Sequence, residues 1–172
     1  MKRIFYLTPF LLFYYLFGQN TKKFDDYDGM ETFFREYIRA VDGKNINEIS
    51  NFFDHDRCTL HYGTNQPIVL RSKDELDDLF RKWTKSPKSF FTKTRIDKIE
   101  IAPVWDDPDT KLCTVDALFS RLDDGGRVIS RGRSLYHFYR GENSYPYRII
   151  KRWKKWKIYM ITDLALENEN LD

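Results

Sequence analysis

The sequence predicts a single α+β domain, with helices gathered early in the chain and an antiparallel sheet late. Three observations predict it. Apolar residues recur at helical spacing between residues 29 and 83, after which long segments of strand-like composition follow one another. Those late segments are separated by short Asp/Asn/Gly/Pro clusters suited to turns between antiparallel strands. A parallel doubly wound sheet would instead alternate helix and strand throughout. The 172 residues, 41% of them hydrophobic, suffice for one core and hardly for two. Eight glycines, six prolines and two cysteines exclude collagen-like, low-complexity and disulfide-dense chains. A net charge of +3 excludes a strongly basic nucleic-acid binder.

The chain divides into residues 1–19, a linker at 20–28, a domain at 29–163 and an acidic tail at 164–172. Lys2 and Arg3 precede an apolar run from Ile4 to Phe17 that Gly18-Gln19 breaks. The run is short for a membrane span, which needs about 20 residues, and fits a signal peptide. The expected protein is therefore exported, secreted or periplasmic, and close to neutral once Lys2 and Arg3 are removed. In an oxidising compartment Cys58 and Cys113 are free to form one disulfide. The alternative is that both pack as buried thiols.

The first helix is expected from Gly29 to Val41, with Asp28 and Glu31 as a capping pair. Met30, Phe33, Phe34, Tyr37, Ile38 and Val41 form its apolar stripe, and Asp42-Gly43 ends it. A second helix follows from Ile46 to Phe53, capped by Asn45 and Glu48. Arg57–Tyr62 and Pro67–Leu70 read as short strands around a Gly63-Thr64-Asn65 turn. Ser72 and Glu75 open a third helix whose face carries Leu76, Leu79, Phe80 and Trp83. Four long strands complete the chain: Phe90–Val104, Lys111–Leu122, Arg127–Arg140 and Tyr147–Ile161.

Residues 33–62 (FFREYIRAVDGKNINEISNFFDHDRCTLHY), the stretch Ile68–Trp83 and the closing WKIYMI of residues 156–161 resemble the nuclear transport factor 2-like superfamily. That superfamily includes ketosteroid isomerases, SnoaL-type cyclases and scytalone dehydratase. The resemblance is one of order and spacing over residues 29–163. It implies three N-terminal helices packed in a strongly curved antiparallel sheet, a cone-shaped barrel with an apolar pocket at its wide end. It also implies that the open sheet face is used for a homodimer.

Matched to the isomerase branch, Tyr37 falls on the oxyanion donor and Tyr62 on the base position. A phenol with pKa near 10 is a poor base at neutral pH. Tyr37 also lies in the apolar stripe, where simple core packing accounts for it. Asp54-His55-Asp56 with His61 is the one titratable cluster suggestive of acid–base work. Strand alternation turns His61 away from Cys58, Leu60 and Tyr62, and no metal-ligand spacing occurs. On the strand after Asp123-Asp124-Gly125-Gly126, the set Val128, Ser130, Gly132, Ser134, Tyr136 and Phe138 reads as pocket lining. Arg131, Arg133 and His137 read as a polar outer face. The expected pocket joins Tyr37, Leu60, Tyr62, Trp83, Ser134 and Tyr136. No cofactor or metal is called for.

The run RIIKRWKKWK concentrates Arg148, Lys151, Arg152, Lys154, Lys155 and Lys157 around two tryptophans. It reads as solvated charge on a hairpin, with an anionic surface or polysaccharide as the alternative partner. Export argues against nucleic acid. The expected function is binding of a small hydrophobic ligand or a protein partner without catalysis. The alternative is an isomerase- or dehydratase-type enzyme acting on a hydrophobic substrate.

Overall fold

The structure, a computed structural model, describes residues 27–62, 66–106, 110–141 and 153–164. Helix α1 spans Met30–Gly43, α2 Ile46–Ser50 and α3 Lys73–Thr84. The strands are β1 Cys58–Tyr62, β2 Ile68–Leu70, β3 Lys93–Asp106, β4 Thr110–Leu122, β5 Val128–Gly141 and β6 Trp153–Leu164. Helices precede the long strands, as the periodicity predicts.

Local chemistry explains the ends of these elements. Ser72 accepts from the Glu75 amide at 3.2 Å and starts α3. Asn45 and Glu48 form a reciprocal cap on α2. The start of α1 differs from expectation. Its N-cap is Gly29, in a left-handed conformation with no side-chain cap bond. Its exit also shifts, because Lys44 takes the left-handed turn with φ 53°. Lys44 is held there by its ammonium, which donates to the Phe91 carbonyl at 2.8 Å. Helix α2 stops at Ser50 instead of reaching Phe53. The Ile158 amide donates to the Phe52 carbonyl and the Asp54 amide to the Ile158 carbonyl, both at 2.8 Å, which draws this segment onto β6.

The six strands lie in the order β2-β1-β6-β5-β4-β3. Neighbours are antiparallel with one exception: β1 and β6 run parallel, Leu60 opposite Ile161 and Tyr62 opposite Asp163. The sheet is therefore mixed, not wholly antiparallel. It is also not closed into a barrel, since β2 and β3 are its edges among the described residues. Register shifts in β3, β4, β5 and β6 mark bulges of the kind that bend strands.

One face of the sheet is dry. Cys58, Leu60, Cys113, Val115, Ala117, Phe138 and Ile158 are all buried beneath α1, whose Met30, Phe34, Tyr37, Ile38 and Val41 point at them. Phe34 meets Tyr136 at 4.9 Å between ring centroids, in an edge-on packing. The strand order also settles the cysteines. Both are buried and free. Strands β6 and β5 lie between β1 and β4, so three strand spacings, about 14 Å, separate the two. A disulfide needs Cα atoms within about 7 Å. Burial pushes each thiol up to about 12.

Candidate functional site

Along β5, alternate residues face the core side of the sheet, and their size changes midway. Tyr136 and Phe138 fill the space beneath α1, whereas Ser130, Gly132 and Ser134 leave a cleft of about 670 Å³. Gly132 is small for a reason. A Cβ there would lie 2.7 Å from the Phe119 ring, which packs across the glycine. Phe91, Phe119, Ile129 and Leu164 give the cleft apolar walls, while Arg121, Ser134 and Asp163 supply polar groups.

Arg121 is fixed on three sides. Its Nη1 donates to Thr94 Oγ1 at 2.7 Å. Thr94 in turn donates its hydroxyl and amide to the two Asp42 oxygens, at 2.5 and 3.0 Å. The guanidinium lies 4.0 Å from the Phe91 ring centroid and 4.8 Å from that of Phe119. Asp42 stands behind Thr94. Among the described residues, no carboxylate forms a salt bridge with Arg121.

Asp163 occupies the other end. It lies between two neighbours in the sheet, Tyr62 on β1 and Ser134 on β5, and accepts from Ser134 Oγ at 2.6 Å. Burial pushes the Tyr136 phenol up to about 12; the Arg121 cation draws it down and the Asp163 charge pushes it up. Tyr62 is raised by burial and then by Asp163. Tyr37 is raised well above the ordinary phenol value, chiefly by burial. All three phenols stay protonated at neutral pH, so they can donate hydrogen bonds but not act as bases. The carboxylate missing at Tyr62 stands on the next strand.

The residues predicted to form the pocket are not brought together in one cavity. Ser134 lines the cleft. Tyr37 and Tyr136 are packed ring to ring at 5.7 Å, and Leu60 is fully buried. Trp83 is half-buried against Phe80 and Phe91. Tyr62 is 38% exposed at the end of β1. His61 lies on the opposite face of β1 from Leu60, opposite Thr162. The His55 ring sits 2.7 Å from the Ser50 carbonyl, a local tie at the end of α2. No group of three His, Cys, Asp or Glu side chains among the described residues could hold a metal.

The basic run is not one surface. Arg148, Lys151 and Arg152, and the side chain of Lys154, fall outside the described residues, and Lys155 is exposed. Lys157 corrects the expectation of solvated charge. It is buried, and its ammonium donates to the Asn51 carbonyl. Burial lowers its pKa, with the Asp54 charge acting in the opposite sense.

Sequence reasoning missed Arg121 and Asp163. The signal for Arg121 was present, since it continues the inward row of Cys113, Val115, Ala117 and Phe119. Asp163 had no local signal.

No family model and no curated protein matches the chain. Solved structures do. A ketosteroid isomerase-like protein from Erwinia carotovora atroseptica is 13% identical, with TM-score 0.51, over 83% of this chain and 99% of that one. ActVI-ORFA from Streptomyces coelicolor is 8% identical, with TM-score 0.55, over 80% and 95%. A domain of unknown function with a cystatin-like fold, from Nostoc punctiforme, is 10% identical, with TM-score 0.57, over 85% and 80%. At such identities the likeness is one of fold.

Proposed function

We propose that this chain, which has the nuclear transport factor 2-like fold, binds a small, largely apolar molecule in the cleft beside β5. The observation that carries the proposal is the row Ser130, Gly132 and Ser134. It opens about 670 Å³ against the Phe91 and Phe119 rings where longer side chains would have closed the core. That volume lies within the usual range for small-molecule sites. Arg121 and Asp163, on strands either side of β5, add charged groups to the apolar walls, which suits a ligand that is oriented as well as held.

Native mass spectrometry of the purified protein tests this. The expected result is a bound mass that gentle denaturation releases and that Ser130→Phe, which puts a ring into the cleft from its exposed end, does not retain. A bound mass kept equally by that variant would place the ligand elsewhere.

A second reading has one specific observation in its favour. Asp163 pairs in register with Tyr62 and accepts from Ser134, so a carboxylate able to take a proton from carbon and a phenol able to donate to the resulting enolate oxygen stand on neighbouring strands. An isomerase- or dehydratase-type activity on a hydrophobic ketone would use that pair. Its test is solvent-deuterium exchange into an α-proton of a bicyclic ketone, expected to fall by two or more orders of magnitude in Asp163→Asn. Equal exchange in the variant would dismiss it.

Export rests on Lys2, Arg3 and the apolar run to Phe17, and is tested by fractionating cells that express the full chain. A homodimer through the outer sheet face, around Arg131, Arg133 and His137, is tested by light scattering on wild type and Arg133→Glu.

A further inference from the structure

We infer that the molecule taken by the cleft is an anion, a carboxylate or enolate on a flat apolar body, with its charged group at Arg121. The inference rests on the small-molecule reading above and adds a charge, a shape and an orientation.

The guanidinium is prepared for such a group. It lies over the Phe91 and Phe119 rings, 4.0 and 4.8 Å from their centroids, and Nη1 is spent on Thr94. A guanidinium has five N–H groups in one plane, so the rest of its edge can still receive two carboxylate oxygens side by side. Several other arginines of the chain are paired with carboxylates: Arg95 with Asp97 at 2.6 Å, Arg127 with Asp123 at 2.8 Å and Arg133 with Asp116 at 2.6 Å. Arg121 has no such partner among the described residues. It is held by a neutral hydroxyl and two rings, an arrangement that fixes its position without a carboxylate bonded directly to it, the Asp42 carboxylate standing one hydroxyl away behind Thr94.

The surroundings point the same way. Lys88, Arg131 and Arg133 also line the cleft, Arg133 being paired with Asp116, whereas the one lining carboxylate among the described residues, Asp163, lies well away from Arg121. Arg121 pairs with Ser130 and Asp163 with Ser134, positions four residues apart along β5, or about 13 Å. The cleft thus has a cationic end and an anionic end with apolar walls between. An anion would enter with its charge toward Arg121, and a hydroxyl at its far end would meet Asp163. The rings that hold Arg121 also offer flat faces to an aromatic or alicyclic body.

The experiment is a paired titration followed by intrinsic tryptophan fluorescence and by calorimetry. The full chain is titrated with 2-naphthoate, 4-biphenylcarboxylate and their uncharged carboxamides. Each carboxylate is expected to bind about tenfold or more tightly than its amide, the size of effect a charge-assisted hydrogen bond gives. The preference should weaken as salt is raised and vanish in Arg121→Met. Arg121→Lys, which keeps the charge without the fork, should retain part of it. Equal affinity for acid and amide in the wild type would overturn the charge assignment while leaving a small-molecule site standing. Failure of all four probes, with no bound mass in native spectrometry, would overturn both. The wild-type comparison needs no variant, so a variant that fails to fold does not decide the matter.

Discussion

The two halves of the inward row of β5 are built from one strand in one register, yet one half is core and the other a cleft. Tyr136 and Phe138 meet Phe34 across the sheet–helix boundary, Phe138 with no exposed surface at all. Phe119 packs across Gly132, and beside Ser130 and Ser134 space remains, walled by Phe91 and Phe119. The difference is not one of backbone, because pairing with β4 runs continuously from Ser130 to Phe138. Side-chain volume at alternate positions, and the partners that reach them, Phe34 at one half and Phe119 at the other, separate the half that holds the fold from the half that can hold a ligand.

That contrast can be broken most strongly from the packed side. Phe138→Ala should cost about 3–5 kcal/mol of stability, measured by urea unfolding, because it leaves a cavity under α1. A cost below about 1 kcal/mol would mean the aromatic half is loosely filled. Asp42→Ala comes next, removing the acceptor of both the Thr94 amide and its hydroxyl. About 1–3 kcal/mol is expected, together with weaker binding of carboxylate probes as Arg121 loses its anchor.

Alkaline pH should separate the halves again. Burial raises Tyr37 and Tyr136, so the folded state resists forming their phenolates. For an acid whose folded pKa lies above its unfolded value, stability is intact below about pH 10 and is lost as pH climbs past it. Phenolate absorbance from these buried rings should appear only together with unfolding. An early, reversible rise that accounted for every tyrosine would contradict their packing.

Gly132→Ala probes the open half. Its Cβ would meet Phe119 Cζ at 2.7 Å, so this ring, which walls the cleft, has to shift. Binding should weaken severalfold while the melting temperature changes little. The smallest effect concerns the outer face. Burial lowers His137, so its contribution is present above the ordinary value of 6.5 and declines as pH falls below it. His137→Gln should flatten that shallow slope, as followed by melting temperature between about pH 7 and pH 5.

Much of this was legible in the sequence where the cause is local. The Ser72–Glu75 and Asn45–Glu48 caps are read from four consecutive residues each. The turn at Asp123 forms from the same short segment, its carboxylate accepting from the Arg127 amide at 2.9 Å. The alternation of β5 marks its inward row, but not where that row turns from filled to empty, because this depends on Phe34 and Phe119 arriving from elsewhere. Strand order was not legible. The parallel pairing of β1 with β6 joins segments about a hundred residues apart. From it follow both the separation of Cys58 from Cys113 and the position of Asp163 beside Tyr62. Lys157 was hidden differently. Trp156, Lys157 and Ile158 are buried in succession, where bulges break the two-residue alternation on which the reading relied.

The seam between β1 and β6 also sets an order of events. Strands β3, β4 and β5 are chain neighbours joined by successive antiparallel pairings, so they can pair early at small entropic cost. The Phe52–Tyr62 segment has to wait for β6, which it grips through Ile158 and then residue by residue to Asp163. Until that happens, Tyr62 and Asp163 belong to opposite ends of an unclosed chain. Asp163 reaches Ser134 through the pairing of β5 with β6, but Tyr62 joins it only through the β1–β6 seam, so a molecule that needs both groups will recognise only a chain in which that long-range pairing has formed.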